Sequence, residues 1–449
     1  MKRIWRGKKV LILGLSKSGI AAAKYLNSQG ADCYITESRE TNEKDVQTIE
    51  NLQKEGILVE MGGHSQAFIE DSYIAITSPS VPLNSEIMQK LKEEKIQVIS
   101  EIELAYLESS TPFVVITGTN GKTTTTYLTS HILSAEYNAP FCGNVGVPVC
   151  NLLEEKTDYF VCEMSSFQLE YTPTLQPQIA MFLTFTPDHI NWHGSLENYF
   201  NAKTSIFKGS RKPAFAIFNA CDETIFEFGK NYKNEKYFFG KEFEKNCCYL
   251  KDNAIYFKKD VEEKIIELQD VQLVGEHNYQ NIMASVIAAK IIGLSNEIIK
   301  QQIASFEAPE HRCEYTATIN GIKFYNDSKA TNPEASIVAI KAFVDKNLTL
   351  IAGGRDKNTD LTEFCKYVNN HAKTVILIGE ATQRFEENLL QNGFSNIIKL
   401  NSMEEAIDKS IEINSEIVLL SPACASFDMY DNFEQRGEHF KNYVKSKKV

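Results

Sequence analysis

The chain has 449 residues, 43% of them hydrophobic and 24% charged, with 12 Pro and 23 Gly, values that exclude a disordered, collagenous or low-complexity protein. At roughly 100 to 200 residues per domain, this length predicts about three domains. Lys plus Arg number 47 against 59 Asp plus Glu, and the net charge of -12 has the wrong sign for a protein that binds nucleic acid or an anionic membrane through its overall charge; a local basic pocket for a small anion stays open. The 10 Cys include no CxxC pair, and Cys247 and Cys248 are adjacent, so the thiols read as reduced and the compartment as cytoplasmic, without a zinc site or disulfide framework. The basic start is followed by an apolar run only from Val10 to Leu13, too short for a signal peptide, and no stretch approaches the roughly 18 apolar residues of a membrane span.

In chain order, KVLILG, LSKSGIAAAKYLNSQG and ADCYITE read as strand, glycine turn with helix, and strand, with Gly30 as the helix stop. YIAITSPSVP and IQVISEIEL carry the alternation to a boundary near residue 100. FVVITG opens a second alternation with strands near 158–163, 179–184 and 214–219, running to about residue 308, and the Asn/Lys-rich stretch 229–265 reads as a meander of short exposed strands or turns. After Ala308-Pro309, the segments IKFYND, LTLIAGG, TVILIGE and EIVLLSPA are strands separated by helix-length stretches. Each strand is followed by Gly, Asp or Ser at its C-terminal end, where open parallel sheets bind ligands.

The strongest local signal is Gly118-Thr119-Asn120-Gly121-Lys122-Thr123-Thr124, set between an apolar strand and a helix. Phosphate binding needs glycines that turn backbone N–H groups toward an anion, a Lys for the outer phosphates and a hydroxyl for magnesium, and all three are present. The strict pattern fails at Ile116, where glycine would stand, and a bare GK[ST] can be a helix cap with a solvated Lys. Glu163 closes the strand beginning at Asp158, as a second magnesium anchor or a surface acid opening a turn. Asp188, His189 and His193 share a loop, as metal ligands or as hydrogen-bonded structural residues. Leu196, Tyr199, Phe200, Ile206 and Phe207 mark one helical face that also carries Lys203. That lysine either snorkels to water or is a desolvated amine able to take up carbon dioxide as a carbamate.

Asn278 and Asn281 share a helix face and offer amides to a ligand, or cap the helix. His311-Arg312, the run Tyr325 to Asn332, Gly353 to Lys357 and Ser421 to Asp428 place acids, cations and hydroxyls at strand ends, each alone readable as a capped turn but together favouring a site. Near the amino terminus Gly14, Ser18 and Gly19, with Glu37 on the next strand, imitate a dinucleotide fingerprint, but Ser16 replaces its middle glycine, so an anionic or nucleotide-sugar ligand is expected rather than a nicotinamide cofactor.

GTNGKTT, EMSSFQLE, Asp188-His189 followed by Lys203, GEHNYQN, His311-Arg312, YNDSKATNP and LLSPACASFDMYDNFEQRG occur in this order across residues 10–440, and with them the chain resembles the Mur ligase family of peptidoglycan synthesis. SSFQL after Glu163, YNDSKATN and the last motif resemble its D-glutamate-adding branch. The resemblance implies an α/β fold of three domains: an amino-terminal Rossmann-like domain for the UDP-substrate (1–99), a central P-loop ATPase α/β sheet (100–308) and a carboxy-terminal Rossmann-like domain for the amino acid (309–449). It implies a cytoplasmic, monomeric, ATP-dependent amide ligase without nucleic-acid or membrane partners. Its substrates would be UDP-N-acetylmuramoyl-L-alanine and D-glutamate, joined through an acyl phosphate, and its cofactors ATP, Mg2+ and carbon dioxide as a carbamate on Lys203.

Carried over by motif, catalysis falls to Lys122, Glu163, His189, Lys203 and His311. ATP would be held by Gly118, Thr119, Asn120, Gly121, Lys122, Thr123, Thr124, Asn278, Arg312 and Asp327, and metal by Thr123, Glu163, His189 and Lys203. The UDP-substrate would meet Ser18, Glu37, Ser38, Arg39, Asn144 and Asn281, and the amino acid Thr331, Lys357, Ser426, Phe427 and Phe433. Ser80 in SPSVP and Lys17 before Ser18 depart from the family pattern near the UDP pocket.

Overall fold

The computed structural model describes residues 5–447 except 274, 345 and 357, so Lys357 lies outside the described residues. Three sheets follow one another along the chain. The first contains β1 (Lys9–Leu13), β2 (Asp32–Glu37), β3 (Leu58–Met61), β4 (Ile74–Thr77) and β5 (Val98–Ser100), all parallel in the order β3-β2-β1-β4-β5. Its order reverses at β1, placing Gly14 and the following helix, Lys17–Ser28, at the switch point. A Cβ on Gly19 would lie 2.4 Å from the Gly14 carbonyl, so glycine is what lets this helix close onto the strand.

The central sheet has nine strands: β6 (Phe113–Thr117), β7 (Phe141–Gly143), β8 (Phe160–Glu163), β9 (Ile179–Phe182), β10 (Phe215–Asn219), β11 (Lys236–Phe239), β12 (Cys247–Lys251), β13 (Ala254–Lys258) and β14 (Glu262–Glu267). The order is β14-β13-β12-β11-β10-β9-β6-β8-β7, parallel except for the β12-β13-β14 end. The meander expected to be exposed is instead a sheet extension with a buried face, since Cys247, Cys248, Tyr249, Ala254 and Ile255 are buried. β6 is buried throughout, as a strand between β9 and β8 with helices around it must be.

These two sheets form one compact unit, Met1–Leu268 with Gln280–Ile303. The helix Glu101–Glu108 joins them with three buried acids, each bonded. Glu101 Oε1 accepts from Cys150 N at 2.6 Å, Glu103 accepts from the Thr174 hydroxyl and from Leu175 N, and Glu108 accepts from Trp5 Nε1 and the Tyr25 hydroxyl.

A second unit, Gln269–Tyr279 with Ala304–Val449, carries a six-stranded sheet: β15 (Glu314–Ile319), β16 (Ile322–Asn326), β17 (Leu348–Gly353), β18 (Ala372–Ile378), β19 (Ile397–Lys399) and β20 (Ile417–Leu420). Its order is β15-β16-β20-β17-β18-β19, with only the β15-β16 hairpin antiparallel. β16 and β20 are neighbours, which brings the segments after Asn326 and after Leu420 side by side. All 10 cysteines are free and only Cys221 is exposed. Among the described residues no helix is long and apolar enough to cross a membrane.

Candidate active site

In the first unit, Gly118 (φ +152°) and Gly121 (φ +83°) turn the chain from β6 into the helix Lys122–Leu133, a left-handed geometry that side chains resist. A Cβ on Gly121 would fall 2.5 Å from Asn281 Oδ1, so this position also tolerates no side chain for lack of space. The loop is strapped to the segment after β9: Thr119 N donates to Thr184 O, Asn120 N to Thr184 Oγ1 at 2.7 Å, and the Thr184 hydroxyl to Asn120 O. Lys122 Nζ donates to the carbonyls of Gly118 and Thr119. Thr123 and Thr124 are buried in the first turn, and the Thr125 hydroxyl bonds Asn281 Oδ1.

Glu163, at the end of β8, is 2% exposed. Its Oε1 accepts from Asn144 Nδ2 at 2.8 Å, while Oε2 is buried without a hydrogen-bond partner. An unsatisfied buried carboxylate oxygen is costly, and a metal or ligand is the ordinary reason for one to persist. His189 is half exposed in a left-handed conformation, 3.5 Å from Asp188, and burial, which outweighs Asp188, holds its pKa below the usual histidine value. His193 is buried on Ser166 Oγ at 2.9 Å, with its pKa lowered to about 4 by burial, then by His189 and Lys203.

Lys203 is 2% exposed. Its amine donates to Gly118 O at 2.7 Å and sits over the Tyr199 ring, whose hydroxyl meets Thr119 Oγ1. Burial, and then the charge of Lys122, push its pKa well below the ordinary lysine value, with Asp188 and Glu163 pulling the other way. The snorkelling alternative is therefore wrong for this residue. The helical face carrying it is shorter than expected: the helix ends at Thr204, a 3-10 turn supplies Ile206 and Phe207, and Leu196 is exposed.

Elsewhere in this unit, Ser18 Oγ lies 3.1 Å from Ser16 Oγ, which meets Ser78. Glu37 accepts from Leu15 N, Arg39 N and the Ser38 hydroxyl. The Arg39 guanidinium is already engaged by both oxygens of Asp45.

The second unit contains Asn278, His311, Arg312, Asp327, Thr331, Ser426, Phe427 and Phe433. His311 (φ +63°) is buried, with Nδ1 2.9 Å from Asn326 Nδ2, and burial lowers its pKa. Asp327 accepts from the Ser421 hydroxyl at 2.8 Å and from Cys313 N, and burial raises its pKa to about 7. Lys329 stands over the Phe433 ring. Ser426 is buried, whereas Phe427 is 65% exposed.

Several residues have no signal of their own in the sequence. Thr184 holds the loop, and Ser166 holds His193. Arg436 is 2% exposed and donates to Ser328 Oγ and to the carbonyls of Ser328, Cys424 and Ala425, tying together the two segments after β16 and β20. Lys441 is bonded to Glu310, Glu314 and Glu438, so the metal-like grouping of Glu310, His311 and Glu438 already holds an ammonium.

Three family profiles match the chain: "Mur ligase MurD-like, N-terminal domain" over residues 8–100, "Mur ligase middle domain" over 116–289 and "Mur ligase, glutamate ligase domain" over 311–424. A UDP-N-acetylmuramoylalanine--D-glutamate ligase of Bacillus cytotoxicus is 36% identical over 444 residues, 97% of each chain. Proteins of the same name from Thermoanaerobacter sp. and Koribacter versatilis are 37% and 38% identical, each covering 98% of both chains. Among solved structures, UDP-N-acetylmuramate-alanine ligase MurC of Thermotoga maritima aligns with a TM-score of 0.60 at 19% identity over 98% of this chain and 100% of that one. MurF ligase of the same organism, in complex with ADP, aligns with 0.60 at 17% over 99% and 100%. These two share the fold.

Proposed function

The chain belongs to the Mur ligase family, and on that footing we propose that it adds D-glutamate to UDP-N-acetylmuramoyl-L-alanine at the expense of ATP, releasing ADP and phosphate in peptidoglycan precursor synthesis. The observation that carries this reading is the 36–38% identity, over nearly the whole length of both chains, to ligases named for that reaction. We assign the domains as 1–99, 100–308 and 309–449, a division supported by the three sheets. Cytoplasmic action as a monomer, in support of wall growth and division, belongs to the same proposal.

The substrate carboxylate attacks the γ-phosphorus of ATP, ADP leaves, and an acyl phosphate results. Two anions meet in that step, and Lys122 together with the N–H groups of Gly118 to Thr124 neutralises the transferring group. The D-glutamate amine then attacks the acyl carbon, forming the amide bond and expelling phosphate. We assign Asn278, Arg312 and Asp327 to the nucleotide, and Ser18, Glu37, Ser38, Arg39, Asn144 and Asn281 to the UDP-substrate. Thr331, Lys357, Ser426, Phe427 and Phe433 are assigned to D-glutamate, and His311 to the reacting groups.

The buried, unpartnered Oε2 of Glu163 fits a divalent cation, and Thr123, Glu163 and His189 would hold magnesium. When bound, that ion supplies further charge neutralisation for phosphoryl transfer. We assign a carbamate to Lys203: its neutral amine adds to the carbon of carbon dioxide, loses a proton, and leaves an anion beside those residues. The 2% exposure of Lys203 supports the neutral form that this addition requires.

The assay is ADP and phosphate release with both substrates, with each alone and with neither. Release that requires UDP-N-acetylmuramoyl-L-alanine, and product that requires D-glutamate, are expected. Equal release with and without them would leave an ATPase or nucleotide switch instead.

A further inference from the structure

A cavity of ≈ 640 Å³ opens in the first unit between residues 200–212 and the segment 224–233, and none of its lining residues belongs to the site above. Its size is that of a small-molecule site. The floor is aromatic: Phe228 meets Phe200 and Phe207 edge-on at 5.7 and 6.0 Å, and Tyr232 meets Phe207 at 6.2 Å. Around the floor stand Lys208, Lys212 and Lys233.

The charge balance of this cavity is the reverse of the chain's. The whole protein carries -12, yet the lining includes three lysines against one acid, Glu227, and that acid is paired with Lys230 at 2.8 Å. The carbonyls at the end of the helix Glu223–Lys230 are also answered, because Lys236 Nζ takes those of Gly229, Lys230 and Tyr232. Lys208 bonds the neutral amide of Asn201, and among the described residues neither Lys212 nor Lys233 has a carboxylate partner. An apolar floor alone would suit any hydrophobe; three lysines around it against a single acid that is already paired call for an anion.

We propose that this cavity binds a small apolar acid, an aryl or acyl body lying on Phe200, Phe207, Phe228 and Tyr232 with a single anionic head among Lys208, Lys212 and Lys233. Phe200 belongs to the helix Leu196–Thr204, whose Tyr199 and Lys203 bond the phosphate loop, so the cavity borders the element that holds the buried amine.

The test uses the full chain and two fluorescent probes of one shape, anilinonaphthalene sulfonate and the uncharged phenylnaphthylamine. The sulfonate is expected to bind with one equivalent per chain, more tightly than the neutral amine and without displacement by ATP. In Lys212→Glu/Lys233→Glu, whose changes lie at the rim, its affinity should fall by at least about tenfold, a loss of about 1.4 kcal/mol, while the neutral probe is unaffected. Asn231→Trp, which narrows the mouth, should weaken both probes. Sulfonate binding that survives the double charge reversal, that ATP displaces, or that the neutral amine matches would overturn the proposal.

Discussion

Lys122 and Lys203 donate to the same acceptor, the Gly118 carbonyl, from 2.9 and 2.7 Å. The two amines are thereby held close together, and burial first, then the charge of Lys122, drives the pKa of Lys203 down. Burial and the neighbouring Lys122 charge thus favour the neutral form of Lys203 behind the loop.

Lys122→Ala is expected to lower turnover by at least about tenfold, since a charge-assisted contact to the transferring phosphoryl group is worth more than about 1.4 kcal/mol. Phosphate release under saturating substrates checks this. A folded variant with unchanged release would remove Lys122 from the chemistry.

Lys203→Ala should lose most activity while keeping its fold, and because the missing part is a small carboxylate-like group, added acetate should restore some turnover. Lys203→Arg should not respond to bicarbonate, because a guanidinium stays protonated and cannot form the adduct. Near-normal turnover of Lys203→Ala would defeat the carbamate assignment.

Glu101 gives a pH prediction. Burial pushes its carboxyl from 4.5 up to about 7, with the Cys150 N–H opposing. A carboxyl whose folded pKa exceeds its unfolded value contributes fully to stability below about 4.5 and progressively less as pH rises through about 7. Glu101→Gln keeps an oxygen for Cys150 N and removes the charge. Its melting temperature should therefore exceed that of the parent by several degrees at about pH 8, reflecting up to about 3 kcal/mol, with the gap closing near pH 5. An equal gap at both pH values would show that Glu101 does not titrate in this range.

Gly437 lies in the helix Phe433–Ser446, where a Cβ would stand 2.1 Å from His311 Nδ1. Gly437→Ala must displace that buried ring. Despite alanine's better helix propensity, a loss of about 1 to 3 kcal/mol is expected in denaturant melts, together with lower turnover. A variant as stable and active as the parent would mean that His311 can move without consequence.

The turn from β6 into the helix Lys122–Leu133 was legible because its signal is local: a buried strand, two glycines at positive φ and a helix start within a dozen residues. Ile116, where the strict pattern has glycine, is buried inside β6. The short edge strands β3, β15 and β19 escaped notice because their partial exposure dilutes any apolar pattern. IQVISEIEL reads only as leading into a connection near residue 100, and nothing local reveals that the three glutamates of the helix Glu101–Glu108 are buried on partners about 50 to over 100 residues away. Arg39 was expected to serve a ligand, yet the acid it grips lies six residues on, at the start of the next helix.

The burial of every cysteine except Cys221 and the half-buried Cys313 makes the protein nearly single-handed toward thiol reagents. A maleimide dye would settle on Cys221, next to Asp222, whose carboxylate starts the helix Glu223–Lys230 and also accepts from Phe185 N. The native chain therefore carries its own attachment point for an optical reporter beside one wall of the aromatic cavity, and occupancy there could be watched without altering a residue.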